Sequence, residues 1–220
     1  MDSKPKLQVA LDVIDLEKAL HISNQVFPFV DIIEAGTPLI KSEGIRTVKI
    51  LKKNFPEKLI CADLKTADAG YLEVKMAAEA DADIISILAD AYDSTIEEAL
   101  RASHDYNVRV MADLIVSRKP VKRLKEIINL NYKGKELDYA LAHSGLDRQA
   151  SRRAPLTEIE AIAQVPNHPK LAIAGGIKPL DIQNIIQYPI SIIIVGGAIT
   201  NAENPREIAK QLKGLINKHS

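Results

Sequence analysis

Tryptophan is absent from the 220 residues, cysteine occurs once, and aromatics make up only 4%. So few aromatic rings leave little to stack nucleic-acid bases on, which argues against a nucleic-acid interface. Cys61, being alone, excludes an intramolecular disulfide and fits a reducing compartment. A charge of one sign is also missing: 29 Lys and Arg balance 29 Asp and Glu. There is thus no net field to attract nucleic acid or an acidic membrane, and a phosphorylated ligand has to be held by local groups. No apolar run approaches the roughly 20 residues that cross a bilayer. Met1–Lys6 leads straight into a strand pattern, so no signal peptide is expected. These absences describe a soluble, cytoplasmic globular domain.

What is present is an alternation of short apolar runs and longer amphipathic stretches. Strands are expected at Leu7–Val13, Val30–Ala35, Leu59–Leu64, Ile84–Leu88, Arg109–Leu114, Leu137–His143, Leu171–Gly175 and Ile192–Val195. Helices are expected at Leu16–Val26, Ser42–Asn54, Tyr71–Ala80, Thr95–Tyr106, Val121–Leu130, Leu156–Ala163, Leu180–Ile186 and Pro205–Lys218. Eight β units, each followed by an α unit, predict a parallel sheet covered by helices. Asp93-Ser94, with Glu97 and Glu98 following, reads as a helix N-cap. An open doubly wound sheet would carry a glycine fingerprint after its first strand, and Leu11-Asp12-Val13-Ile14-Asp15 has no glycine. The Gly-Gly pairs follow the seventh and eighth strands instead, where barrels place a phosphate site. No linker divides the chain. The expectation is one (β/α)8 TIM barrel over residues 1–220.

Side chains two apart on a strand share a face. If Ala62 and Leu64 face outward, then Cys61, Asp63 and Lys65 face the axis. The same parity turns Glu34 inward on the second strand and Asp12 inward after the first, while Asp113 and His143 end the fifth and sixth. Polar and titratable groups from five strands thus converge on one rim, the end where barrel enzymes keep their chemistry. One such residue alone reads as well as a loop cap. Five strands contributing together do not, because ordinary cores avoid charge.

Glu34 and Asp63, on neighbouring strands, offer two hard oxygen ligands of the kind Mg²⁺ takes, although Glu34 also reads as an ion-pair partner for Lys65. No Cys/His cluster competes for zinc. Lys65 lies between Asp63 and Asp68 in sequence, so its pKa should be raised. That makes it a poor imine former and a better stabiliser of a developing enediolate. His143 reads equally as a proton carrier or as a histidine satisfied within a polar rim. Ala174-Gly175-Gly176 and Val195-Gly196-Gly197-Ala198 can bring backbone N–H groups close to an anion.

These residues also carry a resemblance. Ala10-Leu11-Asp12, the segment Ile33 to Gly44, and Ala62-Asp63-Leu64-Lys65-Thr66-Ala67-Asp68 resemble the 3-hexulose-6-phosphate synthase family of the orotidine 5′-monophosphate decarboxylase superfamily. So do Asp93–Ile96, Val110–Leu114, His143–Asp147, Ala174–Ile177 and Val195–Ile199, and together they span nearly the whole chain. Asp63-x-Lys65-x-x-Asp68 is the superfamily signature and does not choose the reaction; the segment from Ile33 to Gly44 discriminates more. Nucleotide decarboxylases resemble one another in carrying lysine at the Glu34 position. The ketogulonate-phosphate decarboxylases share the glutamate but not the Thr37–Gly44 sequence.

The resemblance implies an Mg²⁺-dependent aldolase, with Mn²⁺ as a substitute ion, acting on ribulose 5-phosphate and formaldehyde in either direction. Glu34 and Asp63 would hold the metal, His143 would move the C1 proton and Lys65 would hold the enediolate. Asp12 and Asp113 would orient hydroxyls or water. The backbone at Gly175, Gly176, Gly197 and Ala198 would take the phosphate. Asp68 would reach the site of a second subunit in a homodimer, and a 6-phospho-3-hexuloisomerase would consume the product.

Two segments depart from the family pattern. Asn129–Glu136 is longer and more basic, and Arg148–Pro155 lacks a usual glycine and adds Arg152-Arg153, readable as a solvated loop or as a second phosphate contact. The rival functions are a decarboxylase or epimerase using the same enediolate chemistry, and a non-catalytic sugar-phosphate-binding regulatory module.

Overall fold

The computed structural model describes residues 4–145 and 154–218. Eight parallel strands, β1 (Lys6–Leu11), β2 (Ile32–Ala35), β3 (Leu59–Thr66), β4 (Ile84–Leu88), β5 (Arg109–Asp113), β6 (Tyr139–His143), β7 (Lys170–Ala174) and β8 (Ile190–Val195), close in sequence order into a barrel. The closure pairs β1 with β8, Gln8 lying opposite Ile194. The helices are α1 (Leu16–Val26), α2 (Thr37–Glu43), α3 (Arg46–Asn54), α4 (Gly70–Glu79), α5 (Asp93–Tyr106), α6 (Pro120–Ile127), α7 (Leu156–Ala163), α8 (Ile182–Ile185), α9 (Gly197–Thr200) and α10 (Pro205–Lys218).

Strand alternation sorts the apolar residues into two cores. Val9, Leu11, Ile33, Ala35 and Ala62 pack outward against the helices. Ala10, Ile32, Cys61, Ile84, Met111 and Leu141 are among those that fill the barrel itself. Both faces of the sheet are therefore buried, as a parallel sheet requires. A filled interior gives the polar groups at the carboxyl ends of the strands a solid floor.

Some expected elements differ. The helix expected over Ser42–Asn54 is two helices, α2 and α3, because the chain caps at Gly44, whose N–H bonds to Ile40 O at 2.8 Å. Pro38 in the first turn of α2 is a helix-start signal that apolar periodicity overlooks. The N-cap expected at Asp93-Ser94 falls on Tyr92, and Asp93 enters the first turn, where its carboxylate meets Arg123 at 2.8 Å.

The atypical Asn129–Glu136 segment forms a tight hairpin turn in which Tyr132 and Lys135 exchange backbone bonds. Lys135 Nζ is anchored on the Asp138 carboxylate at 2.8 Å. A connection running from a helix into a strand lies at the amino end of a barrel, so this insertion sits away from the rim that carries the chemistry. Arg148–Arg153 lies outside the described residues.

Ile84 is fully buried within the barrel interior. Truncation to Ala should cost about 2–5 kcal/mol by urea denaturation. A loss no greater than that of a surface substitution would contradict the filled interior.

Candidate active site

A cavity of about 470 Å³ opens at the carboxyl ends of the strands. Of the residues expected there, Asp12, Glu34, Asp63, Lys65, His143, Gly175, Gly176, Gly197 and Ala198 all line it. Asp113 does not and lies behind the wall. Asp68, expected to reach the site of a second subunit, is exposed on the β3–α4 turn, its Oδ1 accepting from Ala69 N at 2.7 Å.

Lys65 is the hub. Its Nζ lies 2.6 Å from Asp63 Oδ2 and 3.3 Å from Asp113 Oδ2. The residue adopts a left-handed backbone (φ 49°), and the β3–β4 register shifts between Ala62 and Thr66. Such a conformation is unfavourable for a non-glycine residue and persists only where its surroundings impose it. Here Lys65 N donates to Ser86 Oγ at 3.0 Å, and Ser86 Oγ donates to Asp63 Oδ1 at 2.6 Å. Thr37 Oγ1 lies 2.7 Å from Asp63 Oδ2, on the opposite side of that carboxylate. Burial acts to lower the Lys65 pKa, but Asp63 and Asp113 outweigh it and raise it. The expected direction holds, with Asp113 rather than Asp68 as the second carboxylate. Burial likewise acts to raise Asp63, and the Lys65 charge with the bonds from Lys65, Ser86 and Thr37 holds it below its ordinary value.

The expectation that Asp113 orients substrate hydroxyls or water meets a different geometry. Asp113 is fully buried, and its Oδ2 lies 2.9 Å from His143 Nδ1. Its Oδ1 accepts from Ile115 N at 2.9 Å. A carboxylate ringed by donors assigns the proton to Nδ1 and leaves Nε2 of His143 as the nitrogen able to exchange a proton. His143 is therefore held by Asp113, a bond that fits both of its expected readings.

Glu34 does not pair with Lys65, since its side-chain bond comes from Gln8 Nε2. Burial, then the charges of Asp63 and Asp12, push its carboxyl well above the ordinary range. Asp12 is raised by burial and by Asp63, against Lys65 and His143. Among these three carboxylates, Asp63 alone forms an ion pair with Lys65, whose charge acts on Glu34 and Asp12 from farther off. The Cys61 thiol beneath them is raised well above its ordinary value, by burial first and then by Glu34 and Asp63, and is inert as a nucleophile. Gly36 makes the packing possible, since a Cβ there would collide with Asp12 Oδ1 and Leu11 O.

At the other end of the cavity, Gly175 sits at φ 103°, and a Cβ would strike Ser144 O. Gly197 and Ala198 open α9, so their N–H groups have no partner within that helix. Lys178, also on the lining, adds a cation beside these amides.

Gln8, Thr37, Ser86 and Lys178 escaped the sequence reading. Gln8 shares the face of Asp12, and Ser86 shares that of Ile84, so the alternation already applied elsewhere would have found both.

Residues 5–212 match the model of the orotidine 5′-phosphate decarboxylase / HUMPS family. The chain is 37% identical over 211 residues to 3-hexulose-6-phosphate synthase of Staphylococcus aureus (strain USA300), covering 96% of this chain and 98% of that one. The crystal structure of 3-hexulose-6-phosphate synthase from Salmonella typhimurium superposes with a TM-score of 0.91 at 30% identity, covering 98% and 100% of the two chains. That of a KGPDC from Streptococcus mutans in complex with D-R5P gives 0.88 at 27%, covering 97% and 98%.

The buried Glu34 carboxyl generates a prediction. Its folded pKa lies above the ordinary 4.5, so above that pH the unfolded chain releases a proton that the folded chain retains. Stability is therefore lost as pH rises from about 4.5 toward the folded value. In metal-free buffer, Glu34→Gln should raise Tm near pH 8, and the gain should vanish near pH 4. A variant no more stable than wild type at pH 8 would contradict the unpaired carboxylate. By its sequence and by this site, the chain belongs to the orotidine 5′-phosphate decarboxylase / HUMPS family.

Proposed function

We propose that this enzyme catalyses the aldol addition of formaldehyde to D-ribulose 5-phosphate, giving D-arabino-hex-3-ulose 6-phosphate, and the reverse cleavage. The observation that carries the reading is the pairing of near-full-length 37% identity to relatives of that activity with a carboxylate, Glu34, at the site's distinguishing position.

The residues fit a divalent cation. Glu34, Asp63 and Asp12 bring more negative charge than Lys65 offsets, and Asp63 Oδ1 keeps lone-pair capacity beyond its bond from Ser86. Among the described residues no group of three or more His, Cys, Asp and Glu is arranged to hold a metal ion by itself, so any ion would depend on water and substrate oxygens. Mg²⁺ suits such a site, because it takes one or two carboxylates and fills its shell with water and substrate oxygens. Glu34 and Asp63 would hold it, with Mn²⁺ as the natural substitute. Bound there, the ion supplies Lewis acidity toward the ketose oxygens.

The chain's own groups then divide the work. The amides at Gly175, Gly176, Gly197 and Ala198 seat the phosphate and set the sugar's register along the cavity. His143 Nε2 takes the C1 proton while Asp113 keeps Nδ1 protonated and the ring aimed. The electron pair passes into the enediolate, whose oxygen faces the Lys65 ammonium. Lys65 stays charged beside two carboxylates, so it stabilises the anion and forms no imine. C1 attacks the formaldehyde carbon, and the proton on His143 neutralises the new alkoxide. Asp12, on the opposite wall, orients a hydroxyl.

Asp68 serves a second subunit. It precedes α4 by two residues, where Leu72 (56% exposed) and Met76 (44%), four residues apart, share one face, and Tyr92 (83%) is exposed before α5. Exposed apolar side chains on the helix that follows a signature carboxylate suit a homodimer with shared sites. A 6-phospho-3-hexuloisomerase would draw the product onward.

Purified protein with ribulose 5-phosphate and Mg²⁺ should deplete free formaldehyde, and chelation should stop it. Lys65→Ala should abolish turnover, and His143→Ala should lower kcat by about 10²–10⁴-fold. Decarboxylation or epimerisation of another sugar phosphate, with no formaldehyde loss under any metal condition, would replace this reading with its nearest rival. Leu72→Glu should convert a dimer to a monomer in sedimentation and lower activity with it. A monomeric wild type would remove the role given to Asp68.

A further inference from the structure

Gln8 is an anomaly in the barrel interior. It is fully buried on β1, among Ile32, Cys61, Ile192 and Ile194 of the inner core. A primary amide in such a layer costs free energy unless its donors and acceptor are satisfied. Gln8 Oε1 has no hydrogen-bond partner among the described residues. Its Nε2 donates to Glu34 Oε2, and the Cys61 thiol is the amide's other side-chain contact. Leu or Met would fill the same space without an orphaned acceptor, so the amide is poorly explained by packing.

The register explains how the bond forms. Ala10 lies opposite Glu34 across the β1–β2 pair, and Gln8 lies opposite Ile32, two residues deeper on the same inward face. Ala10 is small enough to leave the space over which the long Gln8 side chain rises to reach Glu34. A neutral donor also differs in kind from a cationic one, since it fixes the carboxylate's orientation without cancelling its charge.

We propose that Gln8 is a positioning residue for the cation site: by binding Glu34 Oε2 it fixes the carboxylate so that Oε1 presents its charge to a divalent ion. This rests on the reading of Glu34 as a metal ligand. Partners that orient a metal ligand typically contribute 10–100-fold in affinity.

The test is direct Mn²⁺ binding, followed by the electron paramagnetic resonance of the free ion, in wild type, Gln8→Met and Gln8→Asn. Met keeps the volume and removes the donor; Asn keeps an amide too short to reach Glu34. Both should bind Mn²⁺ about 10–100-fold more weakly. The thermal unfolding of metal-free Gln8→Met should be unchanged or higher, and inorganic phosphate should bind both variants as it binds wild type. A purely structural role would do the opposite, lowering Tm with Mn²⁺ affinity intact. Wild-type affinity in either folded variant overturns the inference alone. Absence of Mn²⁺ binding in wild type overturns the metal reading and this inference with it. Should Gln8→Met fail to fold, Gln8→Asn decides.

Discussion

Everything at this site depends on how one ammonium is shared. Lys65 touches both Asp63 and Asp113, and through Asp113 the same charge network fixes His143. Removing the ammonium would leave buried carboxylates facing one another, a far costlier state than the intact network. The left-handed backbone at Lys65 places the side chain where it can meet both partners, and Ser86 holds that backbone through the peptide N–H. Strain, hydrogen bonding and charge therefore support a single arrangement. The lysine is kept cationic, which gives the site an electrostatic rather than a covalent mode of action.

The barrel supplies the convergence that makes such sharing possible. Closed pairing from β1 to β8 brings inward positions on strands distant in sequence to one rim. Beneath that rim an apolar interior excludes water from below and lowers the effective dielectric around the charges. The glycine-bearing turns proposed to seat the phosphate follow β7 and β8, while Lys65, Asp113 and His143 come from β3, β5 and β6. A ligand spanning the cavity is thus gripped at one end and exposed to chemistry at the other, which is how remote binding energy orients a reacting carbon.

Much of this was legible because a strand repeats every two residues and the inward face of a barrel is unambiguous. Alternation alone brings Asp12, Glu34, Asp63, Lys65 and His143 to one cavity. The resemblance gave Asp113 a substrate-orienting role, whereas the packing of β5 against β6 sets its carboxylate against His143, which a strand-end carboxylate does not reveal in sequence. Asp68 follows Lys65 by three residues, yet the turn at Ala69 carries it out of the chain's own cavity. Helix α2 was missed because its seven residues are too few for periodicity to register. Gln8 was missed for a chemical reason: an uncharged amide on a strand carries no alarm, although its burial is as expensive as its silence is misleading.

The sign of the side chain at position 34 then decides what kind of site this network becomes. A lysine there would add a second cation among Asp12, Asp63 and Asp113 and approach internal neutrality. Glutamate does the reverse. It adds a negative charge that Lys65 does not neutralise, in a place where burial already resists ionisation. A protein selected for stability alone would discard that carboxylate, since a neutral isostere would fill the same volume without the penalty. A buried neutral amide bonds it, and among the described residues no salt bridge joins it to a cation, an arrangement that the proposed divalent ion would complete. The electrostatic cost of the buried carboxylate would then favour binding of the proposed cation.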